Sequence, residues 1–143
     1  MRAYHLIVDR DFPQPPERVF DYLSEHENLA EMFGAKVTRL QDGTDGNRNG
    51  VGSVRRLNVG PGPAFEETVV EFDRPRRIAY KITKGSPMKG HLGVMTFEPD
   101  GRGGTRFHYD IRLASRIPGL AALVRASLTR SVDKGLATVE REA

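Results

Sequence analysis

The chain has 143 residues, of which 38% are hydrophobic and 29% charged, and it contains no cysteine. These values predict one domain over residues 1–143 and exclude disulfides and thiolate metal sites. The net charge of +3 comes from 22 basic residues dispersed among 19 acidic ones, so we expect no nucleic-acid partner. No apolar run is long enough to span a bilayer, and the N-terminus lacks a signal-peptide pattern. We therefore expect a cytoplasmic protein without stable membrane insertion.

The N-terminal part of the chain predicts one strand followed by two short helices. Residues Ala3 to Phe12 alternate between apolar and polar side chains, as in a half-buried strand. Pro15 and Pro16 suit the first turn of a helix, since proline lacks an N–H group that this turn does not use. A second helical segment, from Leu29 to Phe33, is expected to end at Gly34.

The rest of the chain predicts a run of strands and one long helix. Strand patterns follow one another from Ala35 to Leu113, interrupted by a polar loop from Asp42 to Gly50. After Ser115 the apolar spacing becomes helical. One stripe contains Ile117, Leu120, Ala121, Val124, Leu128, Val132, Leu136 and Val139. A helix from Ile117 to Glu142 would be about 38 Å long, enough to cross a domain.

This order of elements predicts an α+β fold. We expect a curved antiparallel sheet wrapped around the long C-terminal helix, with two short helices after the first strand. A strongly curved sheet cannot close on a helix without leaving space at one end. That space is the predicted cavity.

The turns between the strands predict which residues lie opposite each other. Residues 60–62, 73–76, 86–87 and 100–104 have the glycine and proline content of hairpin turns. Hairpins centred there pair Arg55 with Glu67, Leu57 with Phe65, Val69 with Tyr80, Tyr80 with Gly93, Ile82 with His91, Met95 with Tyr109, and Phe97 with Phe107. All the turns assign these pairs to one face, which combines apolar and ionisable side chains. Such a face is typical of a small-molecule cavity.

Three ionisable residues on this face are candidate catalytic groups: Arg55, Glu67 and His91. Arg55 and Glu67 oppose each other across two strands and can form a charge-assisted hydrogen bond. They are either a structural ion pair or a catalytic pair, in which Arg55 holds an oxyanion and Glu67 accepts a proton. His91 lies at a strand end, where histidine is commonly a surface residue. Pointing inward, it would be a proton shuttle.

The other predicted ligand contacts combine this face with two positions of the final helix. They are Leu57, Val69, Tyr80, Ile82, Gly93, Met95, Phe107, Tyr109, Val124 and Leu128. Gly93 is either a strand bend or a gap that gives the ligand room. Tyr80 and Tyr109 are either core aromatics or hydrogen-bond partners of the ligand. The four histidines lack metal-ligand spacing, so we expect no metal and no other cofactor.

Several loose motifs occur in a characteristic order along nearly the whole chain: Pro16–Ser24, Gly50–Arg56, Glu67–Tyr80, Gly104–Phe107 and Gly135–Leu136. In these segments the chain resembles the START-like, or Bet v 1-like, helix-grip superfamily (SRPBCC), and within it the polyketide cyclase/dehydrase-like group. The resemblance implies a helix-grip fold with a hydrophobic ligand cavity. It also implies that loops Gly60–Pro63 and Gly85–Met88 lie at the cavity rim. Relatives that cyclise polyketides use cavity arginine and tyrosine side chains to polarise carbonyl groups.

Two main functions use such a cavity. The first is an enzyme that binds a hydrophobic or aromatic small molecule and catalyses polyketide-type cyclisation or dehydration, with Arg55, Glu67 and either His91 or Tyr109. The second is a non-catalytic carrier or sensor of a lipid, quinone or phenolic ligand. A third alternative, a protein-interaction module, would require a filled interior and an exposed apolar patch. The sequence leaves the oligomeric state open, a homodimer included.

Overall fold

A seven-stranded antiparallel sheet forms one layer of the computed structural model, which describes residues 1–143. Its strands are β1 (Ala3–Phe12), β2 (Lys36–Gln41), β3 (Val54–Asn58), β4 (Phe65–Asp73), β5 (Arg77–Lys84), β6 (Leu92–Pro99) and β7 (Thr105–Ala114). The strand order is β1-β7-β6-β5-β4-β3-β2. All neighbours except β1 and β7 are consecutive in the chain, as hairpin turns require.

Three helices accompany the sheet: α1 (Pro16–Ser24), α2 (Ala30–Phe33) and α3 (Leu120–Glu142). A 3-10 turn, His26–Leu29, joins α1 to α2. Gly34 ends α2 with φ at 59°, a left-handed conformation that glycine adopts without steric cost. The predicted α+β helix-grip architecture, with two short helices after the first strand, is confirmed. None of the helices combines the length and apolar content needed to cross a bilayer.

The start of α3 differs from the prediction. The helix begins at Leu120, and Ile117 lies before it in a turn with its side chain 51% exposed. The N–H of Ile117 donates to Ser115 Oγ, and Gly119 follows with φ at 78°, which breaks the helical path. Ile117 therefore does not belong to the apolar stripe.

The C-terminal half of α3 packs closely against α2. A Cβ atom at Gly135 would lie 2.6 Å from Met32 Cα, so only glycine fits at this helix crossing. Gly135 therefore marks a close approach between the two helices α3 and α2. Val132, Leu136 and Val139 are fully buried beside this contact.

The predicted strand register is confirmed for six of the seven pairs. Those six are Arg55 with Glu67, Leu57 with Phe65, Val69 with Tyr80, Tyr80 with Gly93, Met95 with Tyr109, and Phe97 with Phe107. The expected backbone pairing of Ile82 with His91 is wrong, because the β5–β6 ladder ends at the Tyr80–Gly93 pair. His91 lies just before β6, and its imidazole ring accepts the backbone hydrogen bond of Ile82 instead.

Packed aromatic rings fill one end of the concave face of the sheet. The ring of Phe20 in α1 lies 5.2 Å from that of Phe72 and 5.1 Å from that of Phe97. Phe107 continues the cluster, 5.3 Å from Phe97 and 5.7 Å from Phe12. Edge-to-face rings at such distances leave no space for a ligand. The open space therefore lies at the other end, beneath the first turns of α3.

Candidate functional site

An apolar cavity of about 310 Å³ lies between the sheet and the N-terminal part of α3. The sheet contributes wall residues from β3, β4, β5 and β7: Leu57, Phe65, Glu67, Tyr80, Ile82, Ile111 and Leu113. The helices contribute Phe33, Leu120, Val124, Ser127 and Leu128. Of the 20 wall residues 12 are hydrophobic, so the cavity suits a ligand with a largely apolar surface.

Two loops complete the wall at the rim. The β3–β4 turn contributes Val59, Gly62 and Pro63, and the β5–β6 loop contributes residues 85–88. Val59 is 44% exposed, so this part of the wall also faces solvent. These are the loops that the sequence places at the rim.

The cavity wall has one polar part, formed by Glu67, His91 and Tyr80, which we call the polar floor. A buried ion pair between Arg55 and Glu67 supports it. Arg55 Nε donates to Glu67 Oε1 across a distance of 2.8 Å, and the two side chains are only 3% and 4% exposed. The second carboxylate oxygen, Glu67 Oε2, lies 4.0 Å from His91 Nε2. Among the wall residues, only Glu67, His91 and Tyr80 carry ionisable side chains.

Arg55 lies behind this floor and does not line the cavity. Its guanidinium carbon is 4.7 Å from the centre of the Tyr80 ring and 5.3 Å from that of Phe33. The aromatic faces stabilise the cation, and the Glu67 carboxylate neutralises it. The expectation that Arg55 holds an oxyanion of the ligand stays a prediction. In the structure, its guanidinium contacts Glu67 and the Tyr80 ring, which themselves belong to the wall.

His91 points inward and carries its proton on Nε2. The backbone N–H of Ile82 donates to His91 Nδ1 across 3.1 Å, which requires Nδ1 to be the unprotonated nitrogen. Burial lowers the pKa of His91, while the charges of Glu67 and Arg55 act on it in opposite directions. The neutral imidazole therefore presents an Nε2–H donor next to Glu67 Oε2, and its position excludes the surface interpretation.

The two tyrosines lie at different depths. Their hydroxyl groups are hydrogen bonded to each other, and burial raises the pKa of both Tyr80 and Tyr109. Tyr80 reaches the cavity wall, whereas Tyr109 lies in the core behind it. A Cβ atom at Gly93 would lie 2.2 Å from Tyr80 Cζ. Gly93 therefore gives space to the Tyr80 ring and not to a ligand.

Half of the residues predicted to contact a ligand form the cavity wall. Leu57, Tyr80, Ile82, Val124 and Leu128 do so. The other five are absent from the wall and lie in the core or against it: Val69, Gly93, Met95, Phe107 and Tyr109. They lie on the predicted face of the sheet, but in the part of that face where core side chains fill the space. The structure does not bring these five residues to the cavity wall, and their contact with a ligand stays a prediction.

Some wall residues were absent from the predicted set. Phe65 lies opposite Leu57 in the β3–β4 hairpin, so its pairing could have identified it. Ser127 falls between Val124 and Leu128 at helical spacing, which is a similar signal. No pattern in the sequence could have identified Phe33 as a wall residue, because its position depends on how α2 packs against the sheet.

Another polar residue, His26, is buried close to the ion pair. Its side chain is fully buried, and Nε2 is 3.0 Å from Ser53 Oγ. Burial, aided by the charge of Arg55, lowers the pKa of His26 from 6.5 to about 3. The imidazole is therefore neutral in the folded protein over most of the acidic range.

Comparisons with known proteins agree with this architecture. The sequence model of the family described as polyketide cyclase / dehydrase and lipid transport matches residues 5–143. The Zhui aromatase/cyclase from Streptomyces sp. R1128 has a TM-score of 0.69 at 20% identity, covering 98% of this chain and 90% of that one. Truncated norcoclaurine synthase from Thalictrum flavum has a TM-score of 0.74 at 11% identity, covering 99% and 96%. No curated protein sequence matches the chain. At these identities the structural similarities establish the fold alone.

We expect the Arg55–Glu67 pair to be intolerant of single replacement. Glu67→Leu leaves the guanidinium buried without its counter-charge and should lower the free energy of unfolding by about 3–5 kcal/mol. The double variant Arg55→Met/Glu67→Leu should lose clearly less, because no charge remains buried. Urea denaturation measures both effects.

The exposed pair Arg77–Glu71 is the matched control. Its Nε–Oε2 distance is 2.6 Å, but the side chains are 44% and 51% exposed. Arg77→Ala should therefore cost less than about 1 kcal/mol. Equally small losses for Glu67→Leu and Arg77→Ala would contradict the burial of the cavity pair.

Stability should fall as the pH falls below 6.5, because His26 takes up a proton in the unfolded chain but not in the folded one. With pKa values of 6.5 unfolded and about 3 folded, acidification from pH 7 to pH 5 should cost about 2 kcal/mol. The lowered pKa of His91 adds a loss in the same direction. His26→Gln should reduce the pH dependence. Urea denaturation at both pH values measures it, and equal dependence in the wild-type protein and in His26→Gln would refute the assignment.

Proposed function

This chain belongs to the polyketide cyclase / dehydrase and lipid transport family, and we propose that it binds a hydrophobic or aromatic small molecule between its sheet and α3. The observation that carries the proposal is the combination of an apolar wall with a small polar floor in one cavity of about 310 Å³. Removing apolar ligand surface from water provides affinity, and a few polar groups fix its orientation.

The wall also supports an aromatic ligand. Phe33, Phe65 and Tyr80 present rings to the cavity from α2, β4 and β5. Aromatic rings interact with one another beyond simple burial of surface, through offset or edge-to-face contacts. A planar ligand between these rings would gain both contributions.

Filling the cavity from α3 should abolish binding without unfolding the protein. Val124→Phe adds a ring on the cavity side of the helix, and we expect at least a tenfold loss of affinity. Leu123→Phe is the matched control, because Leu123 is 67% exposed on the same helix. Calorimetric titration with phenolic, quinone and lipid-like compounds measures the affinity, and thermal melting checks the fold. Unchanged binding by folded Val124→Phe would place the ligand site elsewhere.

Polyketide-type cyclisation or dehydration is the second candidate function. It is favoured by the proximity of an acceptor, Glu67 Oε2, and a donor, His91 Nε2–H, on the cavity floor. The Glu67 carboxylate could take a proton from a carbon next to a ligand carbonyl, while His91 hydrogen bonds the carbonyl oxygen. The resulting enolate could then attack a second carbonyl of the same molecule. The oxygen of that carbonyl becomes an alkoxide, which takes up the proton held by Glu67. A carrier would use the same groups only to orient its ligand.

The variant Glu67→Gln separates the two functions. It retains the size of the side chain and its hydrogen bond to Arg55 but removes the base, so an enzyme should lose turnover by a hundredfold or more. Affinity for an apolar ligand without hydroxyl groups should be retained. Product analysis with polyketide-like substrates measures turnover, and Glu66→Gln is the neighbouring control. If the wild-type protein binds these compounds and transforms none, the carrier function is favoured.

A further inference from the structure

The polar floor contains one acceptor and one donor that have no partner in the protein. Glu67 Oε1 accepts from Arg55, and His91 Nδ1 accepts from Ile82, so each side chain is held through one of its two polar atoms. The remaining atoms, Glu67 Oε2 and His91 Nε2, are 4.0 Å apart, which is too far for a hydrogen bond between them. Both side chains are more than nine-tenths buried and belong to the cavity wall.

This spacing matches a single bridging oxygen atom. An oxygen placed about 2.8 Å from each of the two atoms would see them at an angle of about 90°, which is acceptable for a hydroxyl group. The hydroxyl would donate its hydrogen to Glu67 Oε2 and accept from His91 Nε2–H. A carbonyl or ether oxygen cannot donate to Glu67, and a ligand carboxylate would meet a like charge there.

The size of the cavity limits the rest of the ligand. A cavity of roughly 150 Å³ lined by apolar side chains is known to bind benzene. The present cavity, at about 310 Å³, has about twice that volume and suits a core of two fused rings. Apolar rings would contact the wall, and only one end of the molecule would reach the floor.

From these observations we infer that the ligand is a neutral bicyclic aromatic alcohol, a phenol or enol, whose hydroxyl group bridges Glu67 and His91. This inference rests on the proposed function, because it names the chemical class that the same cavity selects. It assigns Glu67 and His91 to the recognition of a hydroxyl group in preference to a ketone, an ether or a carboxylate.

Four probes of nearly equal shape test the inference on the wild-type protein: 2-naphthol, 2-methoxynaphthalene, naphthalene and 2-naphthoate. At pH 7 the 2-naphthol hydroxyl is neutral. It should bind roughly 10- to 100-fold more tightly than 2-methoxynaphthalene, the expected gain for a hydrogen bond to a charged group. The carboxylate should bind more weakly than 2-naphthol. Fluorescence or calorimetric titration measures the four affinities.

The variant Glu67→Gln should remove most of the selectivity for a hydroxyl group. Arg55 Nε–H requires an acceptor, so the amide oxygen should turn toward Arg55 and the NH₂ group toward the cavity. The floor would then carry two donors, and the preference for 2-naphthol over 2-methoxynaphthalene should fall at least tenfold. The ratio of two affinities in one variant does not depend on its folded fraction. Glu66→Gln should keep the wild-type ratio.

The outcomes distinguish failure of this inference from failure of the proposed function. Equal affinities for 2-naphthol and 2-methoxynaphthalene in the wild-type protein would overturn the inference, while binding that Val124→Phe abolishes would still support the cavity function. An unchanged ratio in Glu67→Gln would also overturn it. If none of the four probes binds, and the wider panel of compounds also fails, both proposals are wrong.

Discussion

The ion pair between Arg55 and Glu67 is the constraint on which the cavity depends. A guanidinium and a carboxylate that are almost fully removed from water must stay together, because either charge alone would be very costly. The rings of Phe33 and Tyr80 lie next to the cation, with their centres 5.3 Å and 4.7 Å from the guanidinium carbon. This arrangement occupies one oxygen of Glu67 and leaves the other directed toward the cavity. The polarity of the floor therefore follows from an interaction that lies behind it.

The position of the cavity follows from uneven filling of the concave face. Phenylalanine side chains from α1 and from strands β4, β6 and β7 occupy one end of the sheet. At the other end, α3 begins only at Leu120, and its first turns carry Val124 and Leu128 above the sheet without filling the space. Gly135 allows the later part of α3 to lie directly on α2. The helix thus closes the fold at its C-terminal half and covers the cavity with its N-terminal half.

Sequence patterns predicted the face of each strand well, but not the depth of its residues. A β-bulge shows why the predicted register was nevertheless correct. Asp73 pairs with Arg77 and not, as the predicted turn requires, with Arg76, and the extra residue Val70 then restores the pair of Val69 with Tyr80. Alternation defines the side of a sheet and says nothing about which end the helices fill. Met95 and Phe107 were therefore assigned to the correct face and the wrong end. The pairing of Tyr80 with Gly93 was predicted, but alternation alone could not show that the Tyr80 ring fills the space above Gly93.

The ion pair also indicates why the site is better explained by recognition than by stability. Apolar residues of similar volume often replace a buried ion pair without loss of stability, so stability alone gives little reason for Arg55 and Glu67. The surroundings add further costs, since Arg55 Nη2 and His26 Nδ1 are buried without hydrogen-bond partners. The structural relatives share the fold at 11–20% identity and therefore do not explain these groups. What the pair does provide is a fixed carboxylate orientation beside a neutral histidine, which is the arrangement that the proposed ligand hydroxyl would use.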